Sequence, residues 1–148
     1  MLKKCSMVLL ACLALAACGA VDPDSPLGQR RAIFKQMLKT GEDLGGMLRG
    51  RIPFDGPRFA EDASRLDALS REPWKHFPQV KDSDKSSATD AVWQSQERFQ
   101  GLARALEAAT GELVVASQVQ PLQSSALGPV VQKVEDSFQA CHREFRNH

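Results

Sequence analysis

Apolar residues recur at steps of three and four along most of the chain, which is the period of one face of an α-helix. No segment alternates apolar and polar residues with the period of two that marks a strand. The pattern predicts four helices, at about 27–48, 57–71, 87–118 and 125–148. Four one-sided helices joined in sequence bury their apolar faces against one another. The predicted fold class is therefore all-α, an antiparallel up-down-up-down four-helix bundle.

Each predicted helix has a definite inward face. The predicted inward residues are Ile33, Phe34, Met37, Leu38, Gly41, Leu44, Gly45 and Leu48 in the first helix, and Phe59, Ala63, Leu66 and Leu69 in the second. In the third they are Val92, Trp93, Phe99, Leu102, Leu106, Ala109, Leu113 and Ala116, and in the last Leu127, Val130, Val131, Val134, Phe138, Cys141 and Phe145. The last helix thus places a cysteine on its apolar face.

Glycine and proline mark the breaks between these helices. The stretch 50–56, which contains Pro53, separates the first helix from the second. Gly111 costs about 1 kcal/mol relative to alanine in a helix, but the apolar period continues across it, so one long third helix is predicted. Pro129 is expected in the first turn of the last helix, where proline is tolerated. A long loop at 72–87 is expected to be anchored by its aromatic residues Trp74 and Phe77.

The N-terminus has the pattern of an export signal. Basic residues at Lys3 and Lys4 precede an apolar run at 7–17 that is too short to span a bilayer. The run ends in Leu-Ala-Ala-Cys, which matches the lipobox of bacterial lipoproteins and predicts that Cys18 carries a lipid. The alternative is an ordinary signal peptide cleaved after Ala17 or Ala20. The predicted organisation is a signal peptide at 1–17, a tether at 18–28 and a helical domain at 29–148.

This reading places the protein in the periplasm, anchored to a membrane by lipid. Glycine rather than aspartate follows Cys18, so no inner-membrane retention signal is present and the outer membrane is expected. Removal of the signal takes away two lysines and no acidic residue, leaving 131 residues with a formal charge of −1. A chain with this charge balance is not expected to bind nucleic acid.

Cysteine usage singles out one thiol. Of four cysteines, Cys5 and Cys12 leave with the signal and Cys18 is the predicted lipid site. Cys141 remains alone in an oxidising compartment, where thiols normally pair. Either it is covalently modified or it is buried as a small apolar residue.

Cys141 is followed at once by His142, which is half of the C-x-x-C-H signature for c-type haem attachment. The position of the first cysteine is taken by Phe138.

Adjacent helical residues point about 100° apart, so the Cys141 thiol and the His142 imidazole are not expected to form a catalytic pair. No phosphate loop, nucleophile elbow or spaced zinc ligands are present, and the protein is predicted not to be an enzyme.

Several features recur along the predicted domain: Arg30 four residues before Phe34-Lys35, Pro53-Phe54-Asp55, Phe77-Pro78, Trp93, and Cys141-His142 followed by Arg146. In these residues, and over the whole predicted domain, the chain resembles the cytochrome c prime family, including its six-coordinate low-spin relatives. The resemblance implies a four-helix bundle with haem near one end, attached to the last helix. Dimerisation through the first helix is common in that family, so a homodimer is a further expectation.

The resemblance also implies roles for individual residues. Cys141 would form a single thioether to haem c, and His142 would be the proximal iron ligand with Arg146 on the same side. Phe138 would pack against the ring, and Arg30 would meet a haem propionate. Phe34 would face the iron, leaving it five-coordinate for nitric oxide or for slow electron transfer to a partner. Met37 would ligate only if the register differs by three.

The missing cysteine keeps a second hypothesis open, in which the family member has lost haem and serves as a helical-bundle lipoprotein with a binding or structural role. Cys141 would then be a core thiol, and His142 a cation favoured at a helix C-terminus. Phe34 would be an ordinary core residue, and Arg30 and Arg146 would be solvated.

Overall fold

Five α-helices and one 3₁₀ turn make up the described part of the computed structural model, residues 20–81 and 85–147. The helices are α1 (Pro26–Leu48), α2 (Gly56–Ser70), α3 (Ala91–Gln94), α4 (Gln96–Ser117) and α5 (Ser124–Phe145), and the 3₁₀ turn is Pro73–His76. The four long helices pack in a ring, α1 on α2, α2 on α4, α4 on α5 and α5 on α1. The predicted all-α four-helix bundle is confirmed. The signal peptide and Cys18 lie outside the described residues.

Side-chain caps explain where the first two helices begin. Ser25 Oγ accepts a hydrogen bond from the Gly28 N–H at 3.1 Å, and Pro26 occupies the first turn. Asp55 Oδ1 caps α2 in the same way, accepting from the Arg58 N–H at 3.0 Å. Because α1 begins at Pro26, the last three residues of the predicted tether are helical.

Gly50 ends α1 with a backbone conformation that favours glycine, at φ +70°. The chain reverses there, and the N–H groups of Arg51 and Ile52 both donate to the Gly46 carbonyl, at 2.9 and 3.2 Å. The break predicted at 50–56 is therefore present.

The third helix is interrupted, which the sequence pattern did not predict. It continues across Gly111 as expected, but a separate single turn, α3, precedes it and the chain bends at Ser95 (φ −126°, ψ 51°). The indole N–H of Trp93 donates to the Pro78 carbonyl at 2.8 Å, which fixes α3 to the preceding loop. This tertiary contact lies two residues before the bend.

The prediction that Pro129 lies in the first turn of the last helix is wrong. Since α5 begins at Ser124, Pro129 is its sixth residue and cannot donate to the Ser125 carbonyl. Both residues are exposed, so water can satisfy the carbonyl that proline leaves without a donor.

The core forms two neighbouring clusters. The larger fills the middle of the bundle and consists of Met37, Leu44, Met47, Phe59, Ala63, Leu66, Leu106, Ala109, Leu113, Leu127, Val131 and Val134. The smaller lies at one end and consists of Val92, Phe99, Leu102 and Phe145. Leu38, predicted to point inward, is 61% exposed because it lies about 100° around α1 from the wholly buried Met37.

The end of the bundle that holds the smaller cluster is closed by the loop before α3. Trp74 and Phe77 are its aromatic anchors, as predicted, with ring centroids 5.7 and 5.0 Å from that of Phe99. Farther along the loop, Asn147 N–H donates to the Ser87 carbonyl at 2.7 Å, which ties the loop to the C-terminus of α5. Among the described residues, no helix combines the length and apolarity that crossing a bilayer requires.

Candidate functional site

A cavity of about 730 Å³ lies between α1 and α5, within the size range of cofactor sites, roughly 300–1,000 Å³. All six of the predicted site residues line it: Arg30, Phe34, Phe138, Cys141, His142 and Arg146. The structure therefore brings together residues that are more than a hundred positions apart in sequence.

The α5 wall carries the two residues with ligand chemistry. Cys141 and His142 are both half-buried on the last turns of α5 and both reach the cavity, although they point in different directions. One turn earlier, the Phe138 ring lies 6.3 Å from the His142 ring, centroid to centroid. This wall thus offers one thiol, one imidazole and one aromatic face.

The α1 wall contributes the aromatic side chain of Phe34 to the cavity. Phe34 is half-buried and makes edge contacts with Trp74 and Phe77, at centroid distances of 6.1 and 6.5 Å. Met37 is wholly buried in the core. Both residues line the cavity, but Phe34 keeps solvent-accessible surface whereas Met37 has none, which favours Phe34 as the residue that faces a bound group.

Arg30 places a buried positive charge in the cavity wall. It is only 2% exposed, and its Nη1 and Nη2 donate to the His76 carbonyl at 3.0 Å and the Ser86 hydroxyl at 3.1 Å. Its guanidinium carbon lies 4.5 Å from the Phe77 ring centroid, a cation–π contact. The alternative that Arg30 is solvated is wrong, whereas its predicted contact with a propionate stays a prediction.

Arg146 lies just beyond α5 and is exposed. Its backbone N–H donates to the His142 carbonyl at 3.1 Å, which fixes the chain directly after the last helical turn. Its side chain lies at the edge of the cavity.

Burial raises the pKa of the Cys141 thiol from 9.0 to about 11, and the negative charge of Glu144 adds to the effect. Glu144 stays ionised because Arg98 pairs with it across α4 and α5, with Nε 3.0 Å from Oε2, and lowers its pKa. Cys141 is therefore a protonated thiol at neutral pH, unlike the thiolate of a catalytic cysteine.

A haem-free preparation allows the state of this thiol to be measured. In a chain starting at residue 18 with Cys18→Ser, Cys141 is the lone thiol and is expected to ionise near pH 11. Thiolate absorbance near 240 nm reports the titration, and the chain has no tyrosine to obscure it. Because the folded-state pKa is raised, the thiol's contribution to stability is complete below pH 9 and is lost as the pH rises through 11. Cys141→Ala should remove the transition, and a midpoint near 9 would contradict burial.

Trp74 is a cavity residue to which the sequence pattern assigned only a packing role. Its buried indole N–H has no acceptor within residues 20–81 and 85–147. Leaving a buried donor unpaired costs about 1–3 kcal/mol, so an acceptor brought by a bound group would relieve it. No pattern in the sequence distinguishes such a donor from an ordinary core tryptophan.

Within the described ranges, no three His, Cys, Asp or Glu side chains are grouped to hold a metal ion.

Comparison with known proteins identifies the family. The chain matches the family model described as cytochrome C' over residues 25–146, which spans every described helix. This chain belongs to the cytochrome c' family. The resemblance noted in the sequence is confirmed, and membership implies a covalently bound haem c with its iron.

Full-length relatives agree with this assignment. The chain is 26% identical over 129 residues to cytochrome c' of Halomonas halodenitrificans, covering 84% of this chain and 98% of the relative. It is 27% identical over 135 residues to cytochrome c' of Rhodopseudomonas palustris, covering 86% and 85%.

Solved structures show the same fold. Cytochrome c prime of Shewanella frigidimarina superposes with a TM-score of 0.79 at 24% identity, over 87% of this chain and 99% of the other. Cytochrome c' of Rubrivivax gelatinosus gives 0.75 at 23%, over 84% and 98%. A variant of the Alcaligenes xylosoxidans protein in complex with nitric oxide gives 0.77 at 19%, over 87% and 98%.

The cavity fits the cofactor that this family implies. Its walls are largely apolar, it contains a half-buried thiol and an imidazole on the same helix, and it includes one buried guanidinium and one unpaired indole N–H. The departure from C-x-x-C-H is Phe138, whose ring lines the cavity where a second thiol would stand.

Proposed function

We propose that this protein is a periplasmic, lipid-anchored c-type haem protein, in which Cys141 holds the haem through a single thioether and His142 ligates the iron. The observation that supports it most directly is that Cys141, His142 and Phe34 line one cavity between α1 and α5. The haem supplies redox and ligand-binding chemistry, and the chain supplies attachment, orientation and a dry environment.

The aromatic part of the cavity wall bears on what the site binds. Phe34, Trp74 and Phe77 line it, and none of them carries an atom that ligates iron. We infer that His142 would be the iron ligand and that this wall would leave the iron accessible to small neutral molecules. The Alcaligenes xylosoxidans structures contain nitric oxide in one case and carbon monoxide in another. We therefore assign nitric oxide as the ligand, with electron transfer to a redox partner as the alternative use of the site.

The remaining wall residues position the haem. The buried Arg30 guanidinium lines the cavity, and its N–H groups would donate to a haem propionate there. Phe138 would pack against the bound haem, at the position where a second cysteine would form a thioether. These roles concern binding and orientation and include no catalytic step, so we propose a ligand-binding or electron-carrying protein rather than an enzyme.

Gas titration of the reduced, haem-loaded protein tests this function. We expect one equivalent of nitric oxide to change the Soret band, and Phe34→Ala to speed association severalfold because it removes the aromatic ring from the open side. Val115→Ala, on the exposed surface of α4, is the matched control and should change nothing. If neither nitric oxide nor carbon monoxide alters the spectrum, the iron is not open on this side. Electron transfer would then be the function, and Met37→Leu would test whether Met37 is the sixth ligand.

A further inference from the structure

The residues directly before α1 form a hydrogen-bonded turn. Both the Oγ and the N–H of Ser25 donate to the Asp22 carbonyl, at 2.6 and 3.2 Å. The Asp24 N–H donates to Asp22 Oδ1 at 2.9 Å. These bonds close a turn at residues 22–25, which we name the docked turn.

Gly28 allows the docked turn to lie against the first turn of α1. A Cβ at this position would lie 2.8 Å from both the Cα and the carbonyl oxygen of Pro23, and closer still to the Asp22 carbonyl oxygen. These are backbone atoms, so any larger side chain would push the segment away from the helix. Since Gly28 has ordinary helical geometry, its lack of a side chain serves this close approach.

The docked turn lies at the end of the bundle that contains the haem-binding residues. One turn into α1, Arg30 bonds Ser86, and Arg31 Nη2 donates to the Lys85 carbonyl at 2.6 Å. The same loop is hydrogen-bonded to the C-terminus of α5 through Ser87 and Asn147. We name this end, with residues 22–31, 85–94 and 141–147, the cavity end.

The docked turn shortens the distance that the chain can span between Cys18 and the bundle. From Cys18 to Asp22 the chain spans at most about 14 Å, whereas an undocked segment up to Pro26 would span about 28 Å. The bundle is long by comparison, since the 22 residues of α5 extend about 33 Å. A lipid on Cys18 would therefore lie within about 14 Å of Asp22, nearer to the cavity end than to the opposite end.

We propose that the docked turn shortens the N-terminal tether, so that the cavity end of the bundle lies against a lipid bilayer and the opposite end points away. The proposal rests on the proposed lipidation of Cys18 and deepens the proposed function, because a neutral gas leaving the bilayer then meets the haem cavity first. The position follows from chain length rather than from charge, so it should not change with salt concentration.

Spin labels at the two ends of the lipidated, haem-loaded protein test this arrangement. One label is placed through Gln94→Cys at the cavity end and the other through Arg51→Cys at the opposite end, both at exposed positions. The protein is bound to phosphatidylethanolamine and phosphatidylglycerol vesicles that contain a nickel-chelating lipid. Vesicles without nickel give the baseline, so the effect of the haem iron cancels. We expect severalfold greater relaxation enhancement at position 94 than at position 51.

Gly28→Ala should undock the turn and bring the ratio of the two enhancements towards one. Gly101→Ala is the matched control, because a Cβ at this helical glycine would meet nothing and the ratio should stay unchanged. Insertion of about ten Gly and Ser residues after Val21 is a second variant, which lengthens the N-terminal tether and leaves α1 intact. It should lower the ratio even if Gly28→Ala destabilises the protein.

Two outcomes would overturn the proposal. The first is equal enhancement at both ends, or greater enhancement at position 51, where the exposed Val115 and Val119 lie at the opposite end of the bundle. The second is failure to associate with vesicles, matching a Cys18→Ser control, which would remove the anchor itself. Haem content measured on the same samples reports separately on the proposed function.

Discussion

Phe138→Cys is expected to raise the fraction of chains that carry covalent haem several-fold and to create a second thioether. Residues three apart on a helix have Cβ atoms roughly 5–6 Å apart on nearly the same side, and Phe138 and Cys141 both line the cavity. The new thiol therefore completes C-x-x-C-H. Loss of the half-buried ring should lower the unfolding free energy of the haem-free protein by about 2 kcal/mol, less than for a fully buried phenylalanine. Haem-stained gels with intact mass measure occupancy, and denaturant unfolding measures stability.

Ser137→Cys is the matched control for this prediction. It adds a thiol one residue away, but Ser137 does not line the cavity and its hydroxyl donates to the Lys133 carbonyl of its own helix. Occupancy should stay at the level of the unmodified protein. Occupancy near zero in both variants would mean that the cavity is closed to haem.

His142→Ala is expected to remove the protein ligand to iron while the bundle stays folded. Alanine is the best helix former, and a half-buried site near a helix end tolerates the change, so unfolding free energy in the haem-free protein should shift by less than about 1 kcal/mol. In the haem-loaded protein, the thioether at Cys141 should persist while the Soret spectrum changes. Far-ultraviolet circular dichroism and absorption spectra measure the two effects.

Added imidazole should restore the original spectrum of His142→Ala by filling the vacated ligand position. The analogous Arg143→Ala, one residue further along α5 and exposed, should leave the spectrum unchanged and need no rescue. A bundle that unfolds on His142→Ala would instead assign this residue a structural role and leave the iron without its proposed ligand.

The helices could be predicted from the sequence because their evidence is local. The apolar period of three and four is strongest along α2 and α5. The helix boundaries are also set locally, because the side chains of Ser25 and Asp55 cap the helices that follow them and Gly50 ends α1. The bend at Ser95 could not be predicted, because no glycine or proline marks it. The bond that holds α3 in place, from Trp93 to Pro78, joins residues 15 apart and is not visible in the local pattern.

The residues of the candidate site could be predicted from the sequence, but their burial and their contacts could not. The pair Cys141-His142 and the family resemblance pointed to the residues that line the cavity. The burial of Arg30, by contrast, depends on Ser86 and the His76 carbonyl, which lie in a loop with no periodic pattern. The docked turn could not be predicted either, because the need for glycine at position 28 comes from the backbone of Asp22 and Pro23 that packs against it.

The most direct test of the central claim is intact mass together with a pyridine haemochrome spectrum, on protein expressed with haem-attachment machinery and then denatured. A single thioether through Cys141 predicts one haem per chain that survives denaturation, with an α-band shifted from that of doubly attached haem because one vinyl group stays free. Cys141→Ala should release the haem on denaturation. Colourless protein of apoprotein mass would contradict the account and leave a haem-free helical bundle.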